Sequence, residues 1–283
     1  MLHAHITTST GKVRFKYTIC TPASSEAKSI NPDLPTLLFI HPVSIAEHIF
    51  HSQFCDPQLR RFNLVSFDLR GGHGDTTGDK VPSNYGQIDA AEDMINLMDA
   101  LGLPACHLVG MSTSTLIATQ LAVSHPDRVL SLFLMSQLCL EIPPEVAEGH
   151  QEVYDHWASA FPNAWTVLTD RIYEAGFGNA QYIGLYSMTR ITYPVALKRW
   201  GYKHLDEFRT MNLDIYLNRQ SYSKASLAQI VGPVKLVYGS EDVAYPESYS
   251  ESFLRQLRRA GVDASLYVIP GAPHYMAPDF GNQ

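Results

Sequence analysis

Three side chains in this sequence have the types and settings that acyl-transfer chemistry needs. Ala105-Cys106-His107-Leu108-Val109 is a short apolar run leading into Gly110-Met111-Ser112-Thr113-Ser114, and a helical pattern, Leu116 to Ser124, begins at once. Strand, sharp turn and helix put Ser112 at the apex, where small neighbours let the two elements approach. A serine hydroxyl is a poor nucleophile at neutral pH. It needs a base within hydrogen-bond reach, and the base needs a group that orients it. Gly271-Ala272-Pro273-His274-Tyr275, after the last apolar run, offers an imidazole, and Gly239-Ser240-Glu241-Asp242, after the run before it, offers a carboxylate. The plainer alternatives are a helix-capping serine, a surface-loop histidine and a solvated turn acid.

The elements that must position these groups follow from the apolar pattern. Val13 to Cys20 reads as an N-terminal strand, with His3 to Thr8 as its partner across the Ser9-Thr10-Gly11 turn. Thr36-Leu37-Leu38-Phe39-Ile40, Phe62 to Asp68, Val129 to Met135, Val234 to Gly239 and Ser265 to Ile269 are continuous runs of the kind buried on both faces of a parallel sheet. A helical pattern over Asp89 to Leu101 ends at Gly102. Strands alternating with helices imply an α/β fold with a mostly parallel central sheet flanked by helices. In such a sheet the strand C-termini share one rim, and Ser112, Asp242 and His274 all fall at strand C-termini. The rhythm breaks over 139–228, where Glu145 to Phe161 and Ala164 to Ala175 are the expected helices. This segment is read as a helical lid, with 1–138 and 229–283 as the core.

The serine, acid, histidine order on this pattern resembles the α/β-hydrolase fold family, of the lid-bearing serine hydrolase kind, over nearly the whole chain. The resemblance implies Ser112 as nucleophile, His274 as base and Asp242, three residues after its glycine, as the acid. The family's second place for the acid reads Ser136-Gln137-Leu138 here and holds none. The resemblance also implies two oxyanion donors, the backbone N–H groups of Thr113 and Val43. Val43 lies in His41-Pro42-Val43-Ser44, where the family has His-Gly-x; Pro42 lacks an N–H but precedes the donor. Ser114 stands where the motif around the serine usually ends in glycine. Asp68 to Thr76 resembles the family's glycine-rich turn and reads as structural. The family closes its sheet with a helix after the histidine, and Pro278 and Gly281 disfavour one here, so apolar sheet surface is expected there, with a homodimer as one way to cover it.

Pocket candidates are His41, Ser44, Trp157, Trp165, Tyr186 and Tyr275. Each also has a structural reading: His41 as a loop histidine, Ser44 as a helix cap, the lid aromatics as lid core. Lid aromatics over the serine favour a small apolar or aromatic ester or lactone as substrate. Two other readings keep the fold: C–C cleavage or a lyase or cyclase step in which the triad only moves protons, and a receptor with an idle pocket.

Composition narrows the field further. With 283 residues, 45% hydrophobic and 17% charged, the chain suits one large domain. A net charge of −7 repels nucleic acid and anionic membrane surfaces. The four cysteines are scattered and read as free thiols of a cytoplasmic protein. No cofactor and no metal is expected, since no Walker lysine and no ligand-spaced Cys/His set occurs.

Overall fold

In a computed structural model the chain forms a nine-stranded sheet. The structure describes residues 2–43, 45–160, 198–243 and 245–280. The strands are β1 (Leu2–Thr8), β2 (Gly11–Cys20), β3 (Thr36–Ile40), β4 (Asn63–Phe67), β5 (Thr77–Gly78), β6 (Cys106–Met111), β7 (Val129–Met135), β8 (Val234–Gly239) and β9 (Ala264–Ile269). Their order is β1-β2-β4-β3-β6-β7-β8-β9, with β5 paired to β2. β1 and β2 form the antiparallel N-terminal hairpin, and β2 pairs antiparallel with β4. From β4 to β9 every pairing is parallel. The apolar runs are central strands for a simple reason. All five residues of β4 are buried, as are four of five in β3, so both faces of these strands are covered.

The order places the serine. After β3 the chain moves outward to β4, then returns to lay β6 on the other side of β3. Loops leaving β3 and β6 diverge from adjacent strand ends, and that divergence opens a crevice at the C-terminal rim. Helix α1 (His51–Cys55) lies on one face of the sheet's β3–β6 region, with Phe50 and Phe54 against Phe39, while α2 (Gln87–Ala100) and α3 (Ser114–Ser124) pack together. Helix α3 is apolar on every side, and all residues from Ser114 to Ala122 are buried. Its threonines satisfy themselves internally: Thr119 Oγ1 donates to the Thr115 carbonyl at 2.7 Å, and Thr115 Oγ1 to the Ser112 carbonyl at 2.6 Å.

The described part of 139–228 is helical: α4 (Pro144–Ala160), α5 (Leu205–Arg209), a π-helical turn (Thr210–Asp214), α6 (Ile215–Leu217) and α7 (Lys224–Leu227). The helix expected over Ala164 to Ala175 lies outside the described residues. A last helix, α8 (Glu247–Arg259), connects β8 to β9. After His274 the described chain forms only turns. On the face that carries Met135 and Val237, Phe133 and Tyr267 remain 40% and 45% exposed, and Lys235 lies over the Tyr267 ring. No described helix is long and apolar enough to cross a membrane.

Candidate active site

Each reacting group sits on a loop whose backbone the fold constrains. Ser112 follows β6 with φ of +57°, a left-handed conformation uncommon for a residue with a side chain. The strain is held by hydrogen bonds on both sides: the Ser112 N–H donates to the Met135 carbonyl at 2.9 Å, and the Thr115 N–H to the Ser112 carbonyl at 2.9 Å. Ser114 secures the turn from below. The Met111 N–H donates to Ser114 Oγ at 2.8 Å, and that hydroxyl donates to the Ile40 carbonyl at 2.6 Å. One buried hydroxyl therefore ties the end of β3 to the serine turn, which a glycine there would not do. Ser114→Ala strands the Met111 N–H and the Ile40 carbonyl, and should cost about 1–3 kcal/mol, read as a lower thermal unfolding midpoint.

The three distant side chains meet. Ser112 Oγ lies 2.8 Å from His274 Nε2, and His274 Nδ1 lies 2.7 Å from Asp242 Oδ2. The Asp242 carboxylate is 1% exposed, and its other oxygen accepts the Tyr245 N–H at 3.0 Å. A carboxylate beside Nδ1 keeps the ring proton there, so the Nε2 lone pair faces the serine hydroxyl. Glu241, next to Asp242, is exposed. Tyr275 packs edge-on to His274 at 5.0 Å, and burial together with the nearby Asp242 charge pushes its hydroxyl up to about 12. It is a neutral donor at neutral pH. Thr113, fully buried, opens α3, and a helix N-terminus turns its first N–H groups outward. Val43 is buried beside Leu116, Leu138 and Tyr216. Among the described backbone hydrogen bonds, none uses the Val43 or Thr113 N–H.

A family profile described as the alpha/beta hydrolase fold matches residues 35–279. The chain belongs to the alpha/beta hydrolase fold family. Curated relatives match it in part. "Putative carbamate hydrolase RutD" of Caulobacter vibrioides is 37% identical over 90 residues, 29% of this chain and 32% of that protein. Fluoroacetate dehalogenase of Burkholderia sp is 29% identical over 126 residues, 44% of this chain and 41% of that protein. The first of these matches thus spans about a third of the relative's length. Solved structures share the fold over nearly the full chain. A thermophilic esterase from Thermogutta terrifontis has a TM-score of 0.69 at 18% identity, covering 97% of this chain and 92% of its own. The enol-lactonase from Burkholderia xenovorans LB400 has a TM-score of 0.63 at 18% identity, covering 94% and 90%.

Two pocket candidates have other occupations. His41 is 1% exposed, and both ring nitrogens serve backbone groups: Nδ1 donates to the Pro42 carbonyl at 2.7 Å, and Nε2 accepts the Leu69 N–H at 2.8 Å. It braces the Val43 loop against the loop after β4 and has no nitrogen left for a substrate. Trp157 is likewise committed: its N–H donates to the Trp200 carbonyl at 3.0 Å and its ring stacks on Phe208 at 4.9 Å. Both contacts commit it to packing against the 198–209 stretch rather than to a substrate. Ser44, Trp165 and Tyr186 lie outside the described residues. The Asp68–Thr76 turn is structural. Its Asp68 carboxylate accepts the Glu47 and Asp75 N–H groups, and a Cβ on Gly74 would fall 2.1 Å from that carboxylate, at φ of +46°. Glu47 in turn accepts from Lys16, Thr18 and Ser66, so a buried polar network anchors the chain that leaves the Val43 loop.

Beside His41, His73 donates through Nδ1 to the Arg70 carbonyl at 2.9 Å and packs edge-on to Trp200, while its buried Nε2 has no partner among the described residues. Burial drives its pKa down to about 3. The folded protein therefore holds His73 neutral where the unfolded chain, near 6.5, takes up a proton. The group favours folding above pH 6.5, and that stability drains as pH falls toward 3, at about 1.4 kcal/mol per pH unit. Denaturant melts from pH 7 to pH 5 should show wild type losing about 2 kcal/mol relative to His73→Phe, nearly all of it below pH 6.5.

Three residues that the sequence reading passed over surround the serine. Ser136, at the end of β7, has φ of +47°, and its hydroxyl donates to the His274 carbonyl, fastening the histidine loop. Tyr216 shares a hydrogen bond with the Thr113 hydroxyl and stacks on His150 of α4 at 4.0 Å. His150 Nε2 lies 3.0 Å from the Tyr245 hydroxyl, and the Tyr245 ring stacks on His274 at 5.3 Å. Burial holds His150 down to about 4. The only sequence signal for these residues was their place at strand ends or in the aromatic-rich insert.

Proposed function

We propose that the chain is a cofactor-independent serine hydrolase of small esters or lactones. The observation that carries this reading is the unbroken hydrogen-bonded line Ser112, His274, Asp242 at the N-terminus of α3. Ser112 Oγ attacks the carbonyl carbon while its proton passes to His274 Nε2. The carbonyl oxygen becomes an oxyanion, met by the N–H groups of Val43 and Thr113. When the tetrahedral adduct collapses, the C–O bond to the leaving alcohol breaks, and His274 returns the proton to that oxygen. Water then attacks the acyl-serine, gives its proton to His274, and the acid leaves as Ser112 is re-protonated. Asp242 stays ionised and stabilises the imidazolium.

Fold neighbours named as an esterase and an enol-lactonase support acyl–oxygen cleavage on this scaffold. The test is hydrolysis of p-nitrophenyl esters of graded chain length, with Ser112→Ala as blank and mass spectrometry of the quenched reaction. An acyl group on Ser112 is the expected result. Turnover without any acyl-serine would instead assign Ser112 to proton transfer, and a chain that neither hydrolyses nor is acylated would be a receptor.

A further inference from the structure

We propose that Arg219 binds an anionic group of the substrate, so that the ester or lactone opened at Ser112 carries a carboxylate on an otherwise apolar body. The inference rests on the hydrolase reading above and narrows its substrate class. Arg219 follows α6, the helix that brings Tyr216 to Thr113. Its Nη2 donates to Cys139 Sγ at 3.1 Å, while Nε and Nη1 are shielded from solvent and have no hydrogen-bond partner among the described residues. None of the described ion pairs includes it. A guanidinium cannot shed its charge, and N–H groups closed off from water without an acceptor are costly even on a half-buried residue.

Among the described residues no carboxylate lies within ion-pair distance of it. Burial keeps the Cys139 thiol and the Tyr216 and Tyr245 phenols protonated and His150 uncharged, so none of these four groups supplies a counter-charge at pH 7. Of the nearby acids, Glu145 accepts the Tyr249 hydroxyl at 2.9 Å, and Asp214 pairs with Arg209 at 3.4 Å. Elsewhere this protein does pair such a charge: buried Arg70 has Asp93 at 3.7 Å and donates to Thr10. The position of the bare guanidinium supplies the reason for the difference. Cys139, which it touches, packs in one cluster with Val43, Tyr216 and Tyr245, and Tyr245 lies on His274. The unpaired cation is therefore one layer of side chains from both oxyanion donors and the base. A carboxylate is the anion whose two oxygens match the guanidinium's fork of N–H groups.

The experiment compares mono-p-nitrophenyl adipate with its methyl-capped diester, equal in length but uncharged. Wild type should favour the free acid at least tenfold in kcat/KM. In Arg219→Met the ratio of the two should fall at least tenfold, through KM, with Arg219→Lys between. The ratio cancels any loss of folded enzyme. Calorimetry of monomethyl adipate binding to Ser112→Ala reads the same site without turnover, and Arg219→Met in that background should weaken binding at least tenfold. Failure of hydrolysis with binding retained would remove the hydrolase reading and leave the anion site. An unchanged ratio, or binding that ignores Arg219, would overturn the anion site and leave the hydrolase.

Discussion

Ser112→Ala should lower kcat for a p-nitrophenyl ester by about 10⁶-fold, with its thermal midpoint within a few degrees of wild type. The magnitude follows from how a triad works. Without the hydroxyl, His274 has no nucleophile to activate, and what remains is the oxyanion site acting on bulk water, typically 10³–10⁴-fold over the uncatalysed rate. The stability half of the expectation comes from the backbone. Serine and alanine carry the same Cβ, so both meet the same strain at φ of +57°. Ser112→Gly, which removes the Cβ, should be equally inactive but not less stable. Steady-state hydrolysis with a scanning melt checks both, and a Ser112→Ala protein within about 100-fold of wild type would end the nucleophile assignment.

Asp242→Asn should lower kcat about 10⁴-fold while leaving the side chain's volume and place intact. The cause is a proton on the wrong nitrogen. Asp242 Oδ2 now accepts from His274 Nδ1 at 2.7 Å, which frees Nε2 to take the Ser112 proton. An asparagine amide can turn its NH₂ toward Nδ1 and donate, which moves the ring proton to Nε2, where it faces Ser112 and cannot act as base. Nitrogen-15 resonances of the imidazole should report that tautomer, and KM should move far less than kcat. A loss under tenfold, with the tautomer unchanged, would show that the carboxylate does not orient the base.

Much of this arrangement is written locally in the chain. The strand, turn and helix around Ser112 come from an apolar run, three small residues and a helical period within twenty positions. The choice of Asp242 over Glu241 came from the resemblance alone; in the fold Asp242 is buried and accepts the Tyr245 N–H, while Glu241 is exposed. His41 shows the opposite case. Its sequence setting is compatible with a pocket or a strut. Only the Leu69 N–H, 28 positions away, commits its Nε2. Trp157 is similar, because the Trp200 carbonyl and the Phe208 ring that engage it are distant in sequence.

The chain's own order of apolar periods and turn residues was enough for the α/β alternation, the parallel strands and the serine, acid, histidine sequence at one rim, since each is set by neighbours a few residues apart. The roof was decided by folding. Tyr216 reaches Thr113 across 103 positions, Ser136 reaches the His274 backbone across 138, and Arg219 ends beside Cys139 with no ion-pair partner among the described residues. Such contacts depend on how packed elements are oriented, which no local periodicity encodes, and whether a buried charge has found a partner becomes visible only when its neighbours are in place.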